Sequence, residues 1–365
     1  MKKILIIFGT RPEAIKMIPL ILEMESSKMF KPIVVVTGQH RDMLDQVLEL
    51  FEITPAYDLN IMKENQTLAD TTQMILENLG DVLEIEKPDM VFVHGDTTTT
   101  FASALAAFYK QIPIGHVEAG LRTWDKHSPF PEEMNRQMTD VLSDIYFAPT
   151  TISKKNLVRE GHIEKRIFVT GNTAIDMMNY TIQEKYENSI LEKGKRTILV
   201  TMHRRENIGQ PMIDVCQAIN ELIAEFPDVN VIFPIHKNPK VRNLVASHLS
   251  QSKQVKLIEP LSVNDFHNVL SRCYLVLTDS GGVQEEAPYT GVPVLVLRNT
   301  TERPEGVAAG TLKLIGTQKE MVYKEVKELL VDASVYEKMS GATNPYGDGH
   351  ASKYILEALA NYFHF

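Results

Sequence analysis

Cysteine is scarce: Cys216 and Cys273 are the two in 365 residues, and no CxxC occurs. That excludes a disulfide framework and a cysteine zinc cluster, and it suits a reducing cytoplasm. Long apolar runs are missing as well. No stretch approaches the roughly 18 apolar residues that a bilayer-crossing helix needs. The apolar segment after Met1-Lys2-Lys3 covers only 4–8 before Gly9 and Arg11, too short for an export signal. Positive charge is in deficit, 38 Lys and Arg against 47 Asp and Glu, a net −9, which argues against broad nucleic-acid binding. An anionic ligand must then meet a local basic pocket.

Several catalytic fingerprints are absent too. Without GxGxxG there is no signature for a nicotinamide or flavin dinucleotide. Residues 115–120 have the glycine spacing of a phosphate loop, but Leu121-Arg122 replaces its lysine and hydroxyl residue. HExxH and GxSxG are also missing, against zinc-protease and α/β-hydrolase chemistry. Neither a cofactor nor a metal is expected.

What is present is a globular composition, 44% hydrophobic and 23% charged, with a length that fits two domains at about 100–200 residues each. Short apolar runs recur at 3–8, 32–36, 90–93, 112–117, 145–148 and 166–170, then at 196–201, 229–234, 255–258, 274–278, 292–297 and 311–315. Segments of helical period lie between them, among them 13–24, 68–86, 98–109, 212–226 and 319–330. Strand alternating with helix predicts α/β architecture with parallel sheets covered on both faces. The polar tract 183–195 reads as a linker, giving an N-terminal domain 1–182, a C-terminal domain 183–348, and a last helix in 349–365 that returns to the first domain. The expected arrangement is two Rossmann-like domains facing across a cleft.

In open α/β sheets ligands bind beyond the carboxyl ends of strands. Those positions carry Gly9-Thr10-Arg11, Thr37-Gly38-Gln39-His40, His94-Gly95-Asp96 and Glu118-Ala119-Gly120 in the first half. In the second they carry Met202-His203-Arg204-Arg205, Ile235-His236 and Asp279-Ser280-Gly281-Gly282. Turn chemistry accounts for the Gly, Asn and Asp, not for so many His and Arg. Two segments suit an anion. In one, Gly9 allows a tight turn, Pro12 suits the first helical turn, and Arg11 and Lys16 can reach a phosphate. In the other, Gly281 and Gly282 leave backbone N–H groups open to a diphosphate, and Glu286 can accept both ribose hydroxyls. Glu285 reads as an exposed helix charge. Asp96, Glu118 and Glu132 form a carboxylate set for acid/base work, with His203 beside them in role, and 125–133 reads as a lid.

Seven motifs run in register along the chain: FGTRPEAIK from Phe8, VHGDTTT from Val93, GHVEAGLRT from Gly115, PFPEEMNR from Pro129, HRREN from His203, TDSGGVQEEAP from Thr278 and TTERPE from Thr300. The chain resembles the bacterial UDP-N-acetylglucosamine 2-epimerases of the non-hydrolysing type, similar in fold to GT-B glycosyltransferases. The resemblance implies interconversion of UDP-N-acetylglucosamine (UDP-GlcNAc) and UDP-N-acetylmannosamine (UDP-ManNAc) through anti elimination of UDP, 2-acetamidoglucal, and re-addition of UDP. The product would feed cell-surface polysaccharide synthesis. It implies UDP binding by Arg11, Lys16, His203, Ser280, Gly281, Gly282, Glu286 and Arg303, and sugar chemistry by Asp96, Glu118, Glu132 and His203. A second, activating UDP-GlcNAc would lie near Gln39, His40 and His236. A homodimer without nucleic-acid or membrane partners is expected. A hydrolysing epimerase and a GT-B glycosyltransferase are the competing readings; both use a similar sugar-nucleotide site.

Overall fold

The computed structural model describes residues 1–38, 41–63, 66–236, 238–249 and 252–365, with the side chains of 41–43 outside that description. It comprises two compact units, Met1–Met177 with Tyr346–Phe365, and Met178–Pro345.

In the first unit the order is β1 (Lys2–Phe8), α1 (Arg11–Ser26), β2 (Phe30–Val36), α2 (Arg41–Leu50), β3 (Tyr57–Asp58), α3 (Leu68–Glu86), β4 (Met90–His94), α4 (Thr98–Tyr109), β5 (Ile114–Val117), α5 (Glu132–Leu142), β6 (Ile145–Ala148), α6 (Thr151–Arg159), β7 (Ile167–Val169) and α7 (Thr173–Thr181). Among the described residues the strands form one parallel sheet in the order β3-β2-β1-β4-β5-β6-β7, with Leu5 opposite both Ile33 and Val91. Successive residues of a strand face opposite sides. Ile4, Ile6 and Phe8 therefore enter a core with Met17, Ile18 and Ile21 of α1, while Leu5 and Ile7 enter another with Ile75 and Leu79 of α3. Burial on both faces explains why β1 reads as an unbroken apolar run.

The second unit continues with β8 (Arg196–Thr201), α8 (Gln210–Glu225), β9 (Val229–Pro234), α9 (Pro239–His248), β10 (Val255–Ile258), α10 (Val263–Leu270), β11 (Leu275–Thr278), α11 (Gly281–Glu286), β12 (Val294–Val296), α12 (Pro304–Ala309), β13 (Leu312–Leu314), α13 (Lys319–Val331) and α14 (Ala333–Ser340). Its sheet is also parallel, β10-β9-β8-β11-β12-β13. α15 (Ala351–Tyr362) closes the chain in the first unit, where Ile355, Leu356, Ala358 and Leu359 share the core that α1 covers. Their helical spacing puts them on one apolar stripe.

Both sheets have the Rossmann strand order, which reverses between the first and fourth strand of each unit. The crevice-forming positions are thus the loops after β1 and β4, and after β8 and β11.

The units divide at Met177/Met178 and Pro345/Tyr346, whereas composition placed the divisions at 182/183 and 348/349. α7 straddles the first division, since Met178 lies in the second unit's core and Thr181 Oγ1 bonds His267 Nδ1 at 2.7 Å. The polar tract 183–195 is no free linker. Tyr186 OH donates to Asp265 at 2.7 Å, and Ile190 and Leu191 pack on the second unit's core. Alternation of a few apolar residues within a polar segment hid that packing from a reading by composition.

Candidate functional site

The loop after β1 is held by a carboxylate. Thr10 caps α1, and Glu13 Oε2 accepts from the Gly9 and Thr10 N–H groups at 3.1 and 2.8 Å, closing a capping box. The other oxygen, Oε1, accepts from Thr97 and Thr100 hydroxyls at 2.7 and 3.2 Å. Glu13 is buried. Burial pushes its carboxyl pKa up, against the hydrogen bonds from Thr97, Thr10, Gly9 and Thr100. The side chain thereby locks together the loops that follow β1 and β4. Arg11, just past the cap, is exposed.

Glu118 follows β5 with a φ of 64°, in the left-handed region that a non-glycine residue seldom adopts. Its carboxylate forms an ion pair with Lys16, accepts from Asn172 Nδ2 at 2.7 Å, and lies 3.8 Å from His94 Nε2. Lys16, implied at a phosphate, pairs here with this carboxylate. His94 is buried at the end of β4. Burial depresses its pKa to about 3, with Glu118 opposing and Lys16 and His116 adding to the shift, so its imidazole is neutral.

Asp96 is gripped by α5: Arg136 Nη2 reaches its Oδ2 at 2.6 Å, and Asn135 Nδ2 donates to its carbonyl at 2.9 Å. Glu132 opens the same helix, and its Oε2 is buried with no hydrogen-bond partner among the described residues. Buried carboxylate oxygens are rarely left without a donor, which makes this one a candidate to receive a hydrogen from a ligand. Glu133 is buried, takes the Thr123 and Trp124 N–H groups at 3.0 and 3.1 Å, and so ties the segment 123–124 to α5.

In the second unit Asp279, fully buried, joins the loops after β8 and β11. Its Oδ2 accepts from the His203 and Arg204 N–H groups at 3.0 and 2.9 Å and from Asn207 Nδ2 at 2.9 Å. His203 is half-exposed, with Nδ1 3.4 Å from Asp279. Partial burial lowers its pKa, Asp279 opposing and His236 and Arg204 adding to the shift. The His236 ring is stacked on that of His203, centroids 5.9 Å apart. Gln39 and His40, grouped with His236 by the resemblance, lie outside the described residues.

Ser280 precedes α11, whose first two residues are the paired glycines. A Cβ on Gly281 would stand 3.1 Å from Arg303 Cζ, so the guanidinium rests where a side chain would be. Arg303 Nε donates to Glu285 Oε1 at 2.8 Å. Glu285 is therefore buried and paired, not the exposed helix charge that its position in a polar run implied. Glu286 is largely buried, with its Oε2 3.6 Å from His267 Nε2.

Some of the implied residues meet within each unit. In the first, Lys16 and Glu118 meet directly, and Asp96 is bonded to Arg136 of α5, the helix that Glu132 opens; in the second, Gly281 and Arg303 meet. Residues given no site role by the sequence are Glu13, Asn172 and Arg136 in the first unit and His267 in the second, while Asp279 is picked out by its strand-end position alone and Glu285 reads as surface. Glu13 also carries a local signal, the Thr-x-x-Glu spacing. The described residues hold no helix long and apolar enough to cross a membrane, and no group of three or more His, Cys, Asp or Glu arranged for a metal ion.

A family model described as UDP-N-acetylglucosamine 2-epimerase matches residues 22–360. The UDP-N-acetylglucosamine 2-epimerase of Bacillus subtilis is 56% identical over 365 residues, covering 100% of this chain and 96% of the relative. A UDP co-structure of an S. aureus protein superposes with a TM-score of 0.91 at 55% identity, covering 100% of this chain and 97% of that one. The UDP-GlcNAc 2-epimerase of Neisseria meningitidis, solved bound to UDP-GlcNAc, has a TM-score of 0.87 at 48% identity, covering 98% of this chain and 100% of that one.

Proposed function

Because this chain belongs to the UDP-N-acetylglucosamine 2-epimerase family, we propose that it interconverts UDP-GlcNAc and UDP-ManNAc by the non-hydrolysing route, with no added cofactor or metal. The ligands of the relatives support UDP-GlcNAc as substrate and UDP as the departing and returning group.

In the forward direction a carboxylate takes the C2 proton, the anomeric C–O bond breaks with its electron pair leaving on UDP, and a C1=C2 double bond forms. UDP oxygen then re-attacks C1 while a carboxyl delivers a proton to the opposite face of C2. The first step develops negative charge on the diphosphate, which preorganised cations stabilise most where water is excluded. In the second unit Arg303 over Gly281, the N–H groups of Gly281 and Gly282, the preceding Ser280 and His203 suit that task; in the first unit Arg11 and Lys16 past β1 do. Glu286 serves the ribose hydroxyls.

The observation that carries the acid/base reading is Glu132 Oε2, buried and without a partner among the described residues. A base needs an available lone pair within reach of the proton. Asp96 and Glu118 instead hold cations, Arg136 and Lys16, so their oxygens are partly occupied before substrate arrives. The acid/base pair is drawn from these three carboxylates. A second UDP-GlcNAc acting as activator would work through His236, which is stacked on His203. Cys216 and Cys273 are both free and buried, which suits work in the cytoplasm, and a homodimer is the proposed assembly.

Incubation with UDP-GlcNAc alone tests the reading. UDP-ManNAc appearing at equilibrium with UDP-GlcNAc is the expected result. Free ManNAc with UDP would assign a hydrolysing enzyme, and no turnover without an acceptor sugar would assign a transferase.

A further inference from the structure

His116, in the middle of β5, is completely buried and touches no proposed ligand position. Both of its ring nitrogens have partners. Nδ1 lies 2.6 Å from Asp140 Oδ1, and Nε2 lies 2.8 Å from the carbonyl oxygen of Gly95. A carbonyl oxygen can only accept. Asp140 Oδ2 already takes Arg122 Nη2 at 2.5 Å, an ion pair that favours the carboxylate form of Asp140. Two acceptors therefore face one imidazole. A neutral ring has a single N–H and would leave one nitrogen lone pair against an oxygen lone pair at hydrogen-bond distance.

We infer that His116 is a buried imidazolium, protonated on both nitrogens, and that it is a positioning residue for the loop carrying Asp96. Charge balance agrees. Arg122 also binds Glu160, Nε to Oε1 at 2.8 Å, so the cluster holds two carboxylates, Asp140 and Glu160, against Arg122 and His116. A neutral His116 would leave Asp140, whose side chain has no solvent exposure, sharing Arg122 with Glu160. Other titratable groups nearby are His162, with Nε2 3.7 Å from Glu160 Oε2, Tyr146, whose OH donates to the Asp140 carbonyl at 3.1 Å, neutral His94 at the end of β4, and Glu118, paired with Lys16, at the end of β5.

The mechanical consequence follows from Gly95. Its N–H donates to the Val117 carbonyl at 2.9 Å and its carbonyl accepts from His116, so β5 pins this residue from both sides. A φ of 67° at Gly95 then turns the chain directly into Asp96. The positioning role rests on the acid/base reading of Asp96; the charge on His116 does not.

The test is histidine side-chain 15N NMR on the intact enzyme near neutral pH. The His116 signals are assigned by their loss in His116→Gln or, should that variant not fold, by through-bond correlation to the His116 backbone. Two N–H-bearing nitrogens on this ring support the inference; one protonated and one bare nitrogen overturn it. For the positioning role, His116→Gln is expected to lower kcat by roughly ten- to a hundredfold, as misplacement of a reacting group does, with KM for UDP-GlcNAc changed by less than about threefold. Equal kcat in the folded variant overturns the positioning role. Full activity in Asp96→Asn would instead overturn the reading of Asp96 and leave the NMR result standing, so the two failures are distinguishable.

Discussion

Asn172 Nδ2 donates to Glu118 Oε2 at 2.7 Å, while the N–H of Asn172 is itself bound to the carbonyl of Tyr346 at 2.7 Å. The residue that opens the returning C-terminal segment of the first unit thereby helps to set a proposed catalytic carboxylate. Gly171 and Gly347 allow the two stretches to meet, since a Cβ on Gly171 would stand 3.0 Å from Gly347 Cα. Loss of a hydrogen bond to a charged group is worth about 1.5–3 kcal/mol, roughly ten- to a hundredfold. Asn172→Ala is expected to lower kcat/KM by that order. Asn172→Asp, which puts a second carboxylate against Glu118, is expected to lower it further. Steady-state kinetics on both variants, each checked for a native melting profile, decides the point.

The diphosphate assignment is tested in each unit separately. In Gly281→Ala the new methyl group would crowd Arg303, at 3.1 Å from Cζ, and shift its guanidinium. UDP binding is expected to weaken by about tenfold, in the range of one charge-assisted hydrogen bond. Arg11→Ala and Glu286→Ala should each raise KM for UDP-GlcNAc by roughly ten- to a hundredfold on the same arithmetic. Calorimetric titration with UDP reads all three, and unchanged affinity throughout would remove the assignment.

Burial of neutral His94 predicts acid sensitivity. Its pKa falls from 6.5 to about 3 on folding, chiefly through burial, with Glu118 opposing. Below pH 6.5 the unfolded chain takes up a proton that the folded one refuses, so stability falls as pH drops from about 6.5 toward about 3. The slope approaches about 1.4 kcal/mol per pH unit for one such group. Denaturant unfolding at pH 7.5 and pH 5 is expected to show a larger loss in the native protein than in His94→Gln. An equal loss in both would show that His94 is not the source.

Proton loss and return at C2 leave an isotopic trace. In D2O the product UDP-ManNAc is expected to carry deuterium at C2, because a carboxyl proton exchanges with solvent. Amide substitution of Asp96, Glu118 or Glu132 should lower kcat by roughly 10²-fold or more where acid/base function is lost. Free 2-acetamidoglucal and UDP leaking from such a variant would identify the interrupted step. Full retention of the original C2 hydrogen would exclude the elimination route.

Much of this protein follows from local chemistry. The run Ile4-Leu5-Ile6-Ile7-Phe8 needs no partner to identify it as a buried parallel strand, and Thr10 with Glu13 marks the start of α1 by spacing alone. The rule that ligands gather beyond strand ends was enough to pick out Asp96, Glu118, His203 and the paired glycines as candidates. Tertiary structure decided which polar residues were surface and which were scaffold. His116 and Asp140 lie 24 positions apart, Asn172 and Glu118 lie 54 apart, and Asp279 holds His203 from 76 positions away. No spacing announces such pairs. They meet because α5 leads from β5 to its neighbour β6, β6 lies between β5 and β7, and β11 lies beside β8, so the order of strands brings distant segments together within each sheet. Glu285 reads as solvated in any window of sequence, and is buried because Arg303 returns 18 residues later to pair with it. A buried polar side chain is stable only with its partner in place. Burial of these groups is therefore a property of the assembled sheets, not of the segments that carry them.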